Sequence, residues 1–318
     1  MRAGARLALY GAGVAVAFGA AYGLAGAVVP DGAVAAWQGE TSMNEHGGHA
    51  GAEASTGHGP QGLALDAGGL MLSGVEAPRG VDEAGALSFR ILDAAGEPVT
   101  EFTTSHEKDL HLIVVRTDGA DFRHVHPMLD AGTGTWSIPW TWTTAGTYRV
   151  YADFTPGGEG AQGVTLTRTV DVAGAFAPID PAPRNTAEVD GFTVTLDGGL
   201  TAGAASEVTV TVERDGRPVE TLEPYLGAFG HLVALRQGDL AFLHVHPEGD
   251  EPEHDATGGP EIGFVATAPT AGRYLLYLDF QVDGEVHTAS FVVDAAHDAA
   301  GHDGDTGHDD AGHDDGGH

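Results

Sequence analysis

Cysteine is absent from the 318-residue chain, and that absence removes disulfide staples, thiolate zinc sites and the His/Cys kind of blue-copper centre. It also removes any lipid anchor attached through cysteine. Basic residues are scarce: Lys and Arg total 14 against 46 Asp and Glu, for a formal charge of −32. Such a field disfavours nucleic acid and anionic membrane surfaces and draws cations. Aromatic residues are few, at 7%, within a hydrophobic content of 42%, which suits two modest cores rather than one large one. No Ser/His/Asp grouping, phosphate loop or carboxylate dyad stands out, so the chain reads as a non-enzyme. Any metal it binds has to be held by histidine, carboxylate, methionine or backbone.

What is present begins with an uncharged run, "LALYGAGVAVAFGAAYGLAGAVV", from Leu7 to Val29, roughly 34 Å long as a helix and long enough to span a bilayer. Arg2 and Arg6 precede it, which places its start in the cytoplasm and the rest of the chain outside. Ala33-Val34-Ala35 offers a cleavage site in the alternative reading of residues 1–38 as a signal peptide rather than a signal anchor. Either reading exports the chain to the cell envelope, anchored in the membrane by the helix or secreted. Residues 39–62, with His46, His49 and His58, read as a His-rich linker, and residues 296–318, a series of Gly-His-Asp units, as a disordered His/Asp-rich tail with nothing to bury. A Pro-rich break over residues 175–186 divides what remains into segments 63–174 and 187–295, expected to fold as separable halves.

Those two halves overlay at an offset of 120 residues. "HLIVVRTDGADFRHVHP", His111 to Pro127, falls on "HLVALRQGDLAFLHVHP", His231 to Pro247, with eight of seventeen positions identical and no gap. This is an internal duplication. Beyond it the offset becomes 126, where "AGTYRVYADF" matches "AGRYLLYLDF". Short alternating runs rich in Val, Thr, Leu and Tyr, broken by Gly, Pro and Asp, predict an all-β fold of two tandem immunoglobulin-like β-sandwiches. Tyr148 and Tyr274, each in an Ala-Gly-x-Tyr sequence, are placed like the tyrosine corner of such sandwiches.

The histidines fall into register if each seventeen-residue stretch is a hairpin. With Asp118-Gly119 as a two-residue turn, His111 faces His126 and Ile113 faces His124; in the second half His231 faces His246. Paired residues share a face with residues two along the strand. Each repeat therefore gathers three histidines, His111, His124 and His126 or His231, His244 and His246, on a core face shared with Ile113, Val115 and Phe122 or Val233, Leu235 and Phe242. Apolar surroundings favour the neutral, metal-competent imidazole. Asp153 and Asp279 on the penultimate strands are the duplicated carboxylates that either complete the coordination or orient a ligand. His106, His254 and His287 are not duplicated and read as solvated or structural.

The HVHP motif, its upstream histidine and the following Ala-Gly-x-Tyr and Asp-Phe resemble exported tandem immunoglobulin-like modules of actinobacterial envelope proteins, of the YtkA-like and CopC-like kind associated with copper handling. The resemblance covers roughly residues 63–295. It implies an extracytoplasmic protein that captures or buffers metal ions, with copper as the ion and zinc as the alternative. A non-catalytic interaction or adhesion module, its histidines structural and its protein partner unidentified, is the competing reading.

Overall fold

The computed structural model describes residues 62–297, apart from position 244 and the side chain of His246. The apolar N-terminal run, nearly all of the His-rich linker and nearly all of the tail lie outside the described residues, and so do the ligand roles expected of His244 and His246. Among the described residues every regular element is a strand, and no helix is long and apolar enough to cross a membrane. Both repeats fall within one compact unit.

In the first repeat one sheet runs in the order Val164–Val172, Gly146–Pro156, His111–Arg116, Arg123–Val125, and a second in the order Gly85–Phe89, Thr135–Trp140, Met128–Asp130. Leu87, Phe89, Leu112, Val114, Trp136 and Val150 fill the space between them. The second repeat has the sheets Leu200–Thr201, Glu285–Ala296, Gly272–Val282, His231–Arg236, Phe242–Leu243 and Thr186–Val189, Phe192–Gly198, Ala205–Arg214, Glu261–Thr267, Val245–Pro247. Its core is built on the alternating positions of those strands, Val194 and Val210 from one sheet against Ala234 and Leu276 from the other, as period-two patterning requires. The corner tyrosines do what their placement predicts: the Tyr148 hydroxyl donates to the Thr144 carbonyl at 2.9 Å and the Tyr274 hydroxyl to the Thr270 carbonyl at 2.8 Å.

His111–Arg116 is buried at all six positions, and Gly272–Val282 is buried continuously from Tyr274 to Phe280. A strand buried on both faces needs a second core. Leu112 and Val114 point into the sandwich, whereas Ile113, Val115 and Tyr151 meet Val233, Leu235 and Tyr277 of the other repeat in a third cluster. The face that carries the histidines is thus a core face, and the core it serves lies between the repeats. Each fully buried Val, Leu or Ile here contributes about 1.5–3 kcal/mol.

The contact is reciprocal, as between two copies related by an approximate two-fold axis. The Tyr151 hydroxyl donates to the Leu240 carbonyl at 2.5 Å, and the Tyr277 hydroxyl donates to the Gly119 carbonyl at 2.6 Å. Each penultimate strand therefore fastens to the hairpin turn of the sister repeat. Phe122 stacks on Tyr277 with ring centres 4.0 Å apart, and Phe242 meets Tyr151 at 5.8 Å.

The hairpin register in the first repeat pairs Leu112 with Val125, Ile113 with His124 and Val114 with Arg123, which is the pairing the spacing predicts. The turn differs. Gly119 N–H donates to the Arg116 carbonyl and Arg116 N–H to the Ala120 carbonyl, so the loop is three residues, and Asp121, at a φ of 50°, is an extra residue that restores the register. Asp118 is spent on the Arg116 guanidinium, at 2.8 and 2.9 Å.

In the second repeat Ala234 pairs with Leu243 and Leu235 with Phe242, again as the spacing predicts, but the chain then changes sheets. His246 pairs with Val265 on the strand Glu261–Thr267, not with His231. HVHP is a crossover between sheets in both repeats, since Arg123–Val125 and Met128–Asp130 also belong to different sheets. The switch falls between Val125 and Met128 in the first repeat and between Leu243 and Val245 in the second, so the expected His231–His246 opposition is not made.

The Pro-rich break is tied down along its length. Ile179 N–H donates to Asp118 Oδ2 at 2.9 Å, the Arg116 guanidinium lies 5.4 Å over the Phe176 ring, and Arg184 exchanges both backbone hydrogen bonds with Val292.

Candidate metal centre

His111, His124 and His126 each point one ring nitrogen at a common space, all three atoms lying within 4.8 Å of one another. The strands His111–Arg116 and Arg123–Val125 carry His111 and His124 in the register described above, and His126 follows one residue past the end of the second strand. His111 Nδ1 is 3.0 Å from His124 Nε2 and 3.1 Å from His126 Nε2. The ring centres are 4.9, 5.0 and 5.3 Å apart. Three imidazoles at tetrahedral angles around one ion, with metal–nitrogen bonds of about 2.0–2.1 Å, have nitrogens about 3.3 Å and ring centres about 5.1 Å apart.

The far sides of two of these rings decide where their protons sit. His111 Nε2 lies 3.0 Å from the Ser105 carbonyl, which can only accept, so the proton of the neutral ring is on Nε2 and Nδ1 carries a lone pair. His124 Nδ1 donates to Asp279 Oδ2 at 2.9 Å, so in the neutral ring the lone pair is on Nε2. With both rings neutral, two lone pairs face each other at 3.0 Å, an arrangement that asks for a shared cation. Burial first, and then the neighbouring His124, push His111 down to about 4; burial, His124 and His111 push His126 down to about 2. At neutral pH both rings are neutral ligands.

Asp279 comes from the second repeat. Its carboxylate takes His124 on one oxygen and the Thr288 hydroxyl on the other. A carboxylate behind a ligating imidazole fixes its tautomer and ring orientation and raises its basicity. Asp153 sits in the matching place on the first repeat, opposite His111 in the ladder as Asp279 is opposite His231, and its Oδ1 accepts the Thr165 hydroxyl at 2.6 Å. It lines a cavity of about 70 Å³ together with His111, His124, His231, Ile113 and Val233. That volume holds an ion with a water ligand, a single water needing only about 10–15 Å³ on the same scale.

His231 repeats the anchoring of His111. Its Nε2 donates to the Tyr225 carbonyl at 2.8 Å and lies 3.1 Å from the Leu226 carbonyl. Burial first, then His124, pushes it down to about 4. Tyr225 lies 6.4 Å from the His126 ring, and burial with the charge of Asp279 raises its hydroxyl to about 12.

Sequence reasoning missed three contributors. The Ser105 and Tyr225 carbonyls act through backbone, which no residue type announces, although both lie six residues before their histidine. His106 is exposed yet lines the cavity, its ring 5.4 Å from His231 and 6.2 Å from His111. His254 is 91% exposed beside Glu107, as its acidic loop suggests. His287 is buried against Phe192 and Phe280 and donates from Nδ1 to Asp190, a structural histidine.

The chain matches the family described as a domain of unknown function, DUF8832, twice, over residues 70–174 and 187–297. No curated protein matches it. Among solved structures it is similar to invasin, a bacterial integrin-binding protein, at 16% identity and a TM-score of 0.22, over 72% of this chain and 39% of that one. The Yersinia pseudotuberculosis adhesin InvE gives 15% and 0.21, over 71% of this chain and 58% of that one. The D0-D1 domain of intimin gives 13% and 0.22, over 68% of this chain and 93% of that one. The chain thus spans less than two thirds of the length of the first two.

Proposed function

The chain belongs to the DUF8832 family, two copies of whose domain it carries, and from that premise we propose that the junction of the copies binds a divalent transition-metal ion. The observation that carries this reading is the pair of tautomer-fixed lone pairs of His111 Nδ1 and His124 Nε2, converging at 3.0 Å with His126 Nε2 beside them. The donor set is imidazole nitrogen without thiol or thioether, which suits Cu(II) and Zn(II). Copper is our assignment, supported by the resemblance of the HVHP repeats to copper-handling envelope modules, with zinc the alternative. The role is capture or buffering outside the cytoplasm, by a chain that Arg2, Arg6 and the run Leu7–Val29 export. The His-rich segments at either end act as weak, local collectors that raise the ion concentration near the ordered site.

Isothermal titration of the full chain with Cu(II) and with Zn(II) tests this at pH 7.5. A tight component of one ion per site, lost in His124→Ala with His126→Ala while the weak components of the end segments persist, is the expected result. A second reading, immunoglobulin-like sandwiches forming a non-catalytic interaction module, is favoured by the rings already lying within hydrogen-bond distance of one another, where a single shared proton could hold them. Absence of any tight component that depends on these histidines establishes that reading instead.

A further inference from the structure

The trio supplies three nitrogens, and the cavity that two of its members, His111 and His124, line is bounded on the other side by His231, Leu232 and Val233 of the second repeat. We infer that His231 is the fourth nitrogen ligand of the ion held by His111, His124 and His126, so that the ion bridges the two repeats; this rests on the metal reading above. His231 is anchored through Nε2 to the Tyr225 and Leu226 carbonyls, which leaves Nδ1 as the lone-pair nitrogen, the same arrangement that aims His111. Its ring lines the same cavity as His111 and His124 and lies 6.4 Å from the His124 ring. Imidazoles at tetrahedral angles on one ion have ring centres about 5.1 Å apart, and His231 stands outside the three nitrogens that gather within 4.8 Å of one another, so its ring has to swing inward by an ångström or more to enter the coordination sphere.

The alternative donors are poorer. His106 is exposed on its loop, and Asp153 has one carboxylate oxygen already engaged by Thr165. Repeat two also orients His124 through Asp279. One ion would then be contacted directly by His231 and indirectly by Asp279, both from the repeat that does not carry HVHP of the trio.

Cu(II) added at one equivalent to the full chain, read by electron paramagnetic resonance for the number of coordinated nitrogens, tests the inference. Four are expected in the unmodified chain and three in His231→Gln, with affinity reduced at least 10–100-fold, and no change of count in His106→Gln. Because His231→Gln could disturb the interface, the unmodified chain supplies a second measurement. On titration with Zn(II), the long-range ¹H–¹⁵N imidazole spectrum should show the His231 Nδ1 resonance move with those of His111 Nδ1 and His124 Nε2. A His231 resonance that stays in place, or a fourth nitrogen lost in His106→Gln or retained in His231→Gln, overturns the inference while leaving the trio intact. Failure of the trio resonances themselves to respond overturns both.

Discussion

Asp279 of the second repeat accepts a hydrogen bond from Nδ1 of His124 in the first, at 2.9 Å, with both side chains only 4% exposed. A carboxylate in one copy thus sets the direction of a lone pair in the other. Asp279→Asn keeps the volume and removes the charge. Its amide can still accept from Nδ1, but it no longer places a negative charge behind the ring, and the affinity for Cu(II) or Zn(II) should fall 10–100-fold. Titration calorimetry of the full chain measures it. Unchanged affinity, with the apo-protein equally stable, would remove Asp279 from the site.

Acid should weaken the metal-free protein before it protonates its carboxylates. His111 and His231 fall from 6.5 to about 4 and His126 to about 2, each chiefly through burial. The unfolded chain therefore binds more protons than the native one below about 6.5, and stability is lost as the pH falls from there towards 4, where the loss from His111 and His231 levels off. The urea midpoint of the apo-protein should drop across that interval. His126→Gln, which removes the most depressed ring, should flatten the drop, and an undiminished slope in that variant would contradict the burial assigned to the site.

The shared core gives a prediction of stability and of binding together. Leu235 is fully buried between the repeats, and Leu235→Ala should cost about 2–5 kcal/mol. Tyr277→Phe should cost about 1–3 kcal/mol by leaving the Gly119 carbonyl without its donor. Both changes lie away from the histidine rings, yet both should lower metal affinity, because they loosen the surface that holds His231 and Asp279 against the trio. Denaturant unfolding and calorimetry on the same samples check the two effects, and a stability loss with no change in affinity would separate the interface from the site.

Much of this was legible in the spacing. Strand alternation and the Asp-Gly signal give the right pairing of Ile113 with His124, because a three-residue loop with one extra residue at Asp121 shifts the ladder by the same amount as a two-residue turn. The corner tyrosines announce themselves through Ala-Gly-x-Tyr. Parity identifies the face on which Ile113 and Val115 lie, but parity cannot say which body covers a face, and the covering body here is the sister repeat. The His246 placement was not legible, since the point at which HVHP leaves one sheet for the other depends on loop geometry beyond it. Nor was the role of Asp279 across the junction, a contact 155 residues apart in sequence.

The last prediction concerns the Pro-rich segment, which by sequence marks two separable halves. In the structure its flanks are fastened, at Ile179 to Asp118 and at Arg184 to Val292, and the halves share the buried cluster of Ile113, Val115, Val233 and Leu235 with two reciprocal tyrosine hydrogen bonds. A protease site inserted between Ala182 and Pro183, where the chain is exposed, should therefore be cut without parting the halves. On native size exclusion the two fragments should elute together at the position of the uncut protein and separate only in denaturant. Added Cu(II) should raise the denaturant concentration needed, because an ion held by His111, His124, His126 and His231 joins the fragments as well as filling the site. Fragments that part under native conditions would show instead that the junction is not closed in solution, and the ion would then have no fixed surface from the second repeat to bind against.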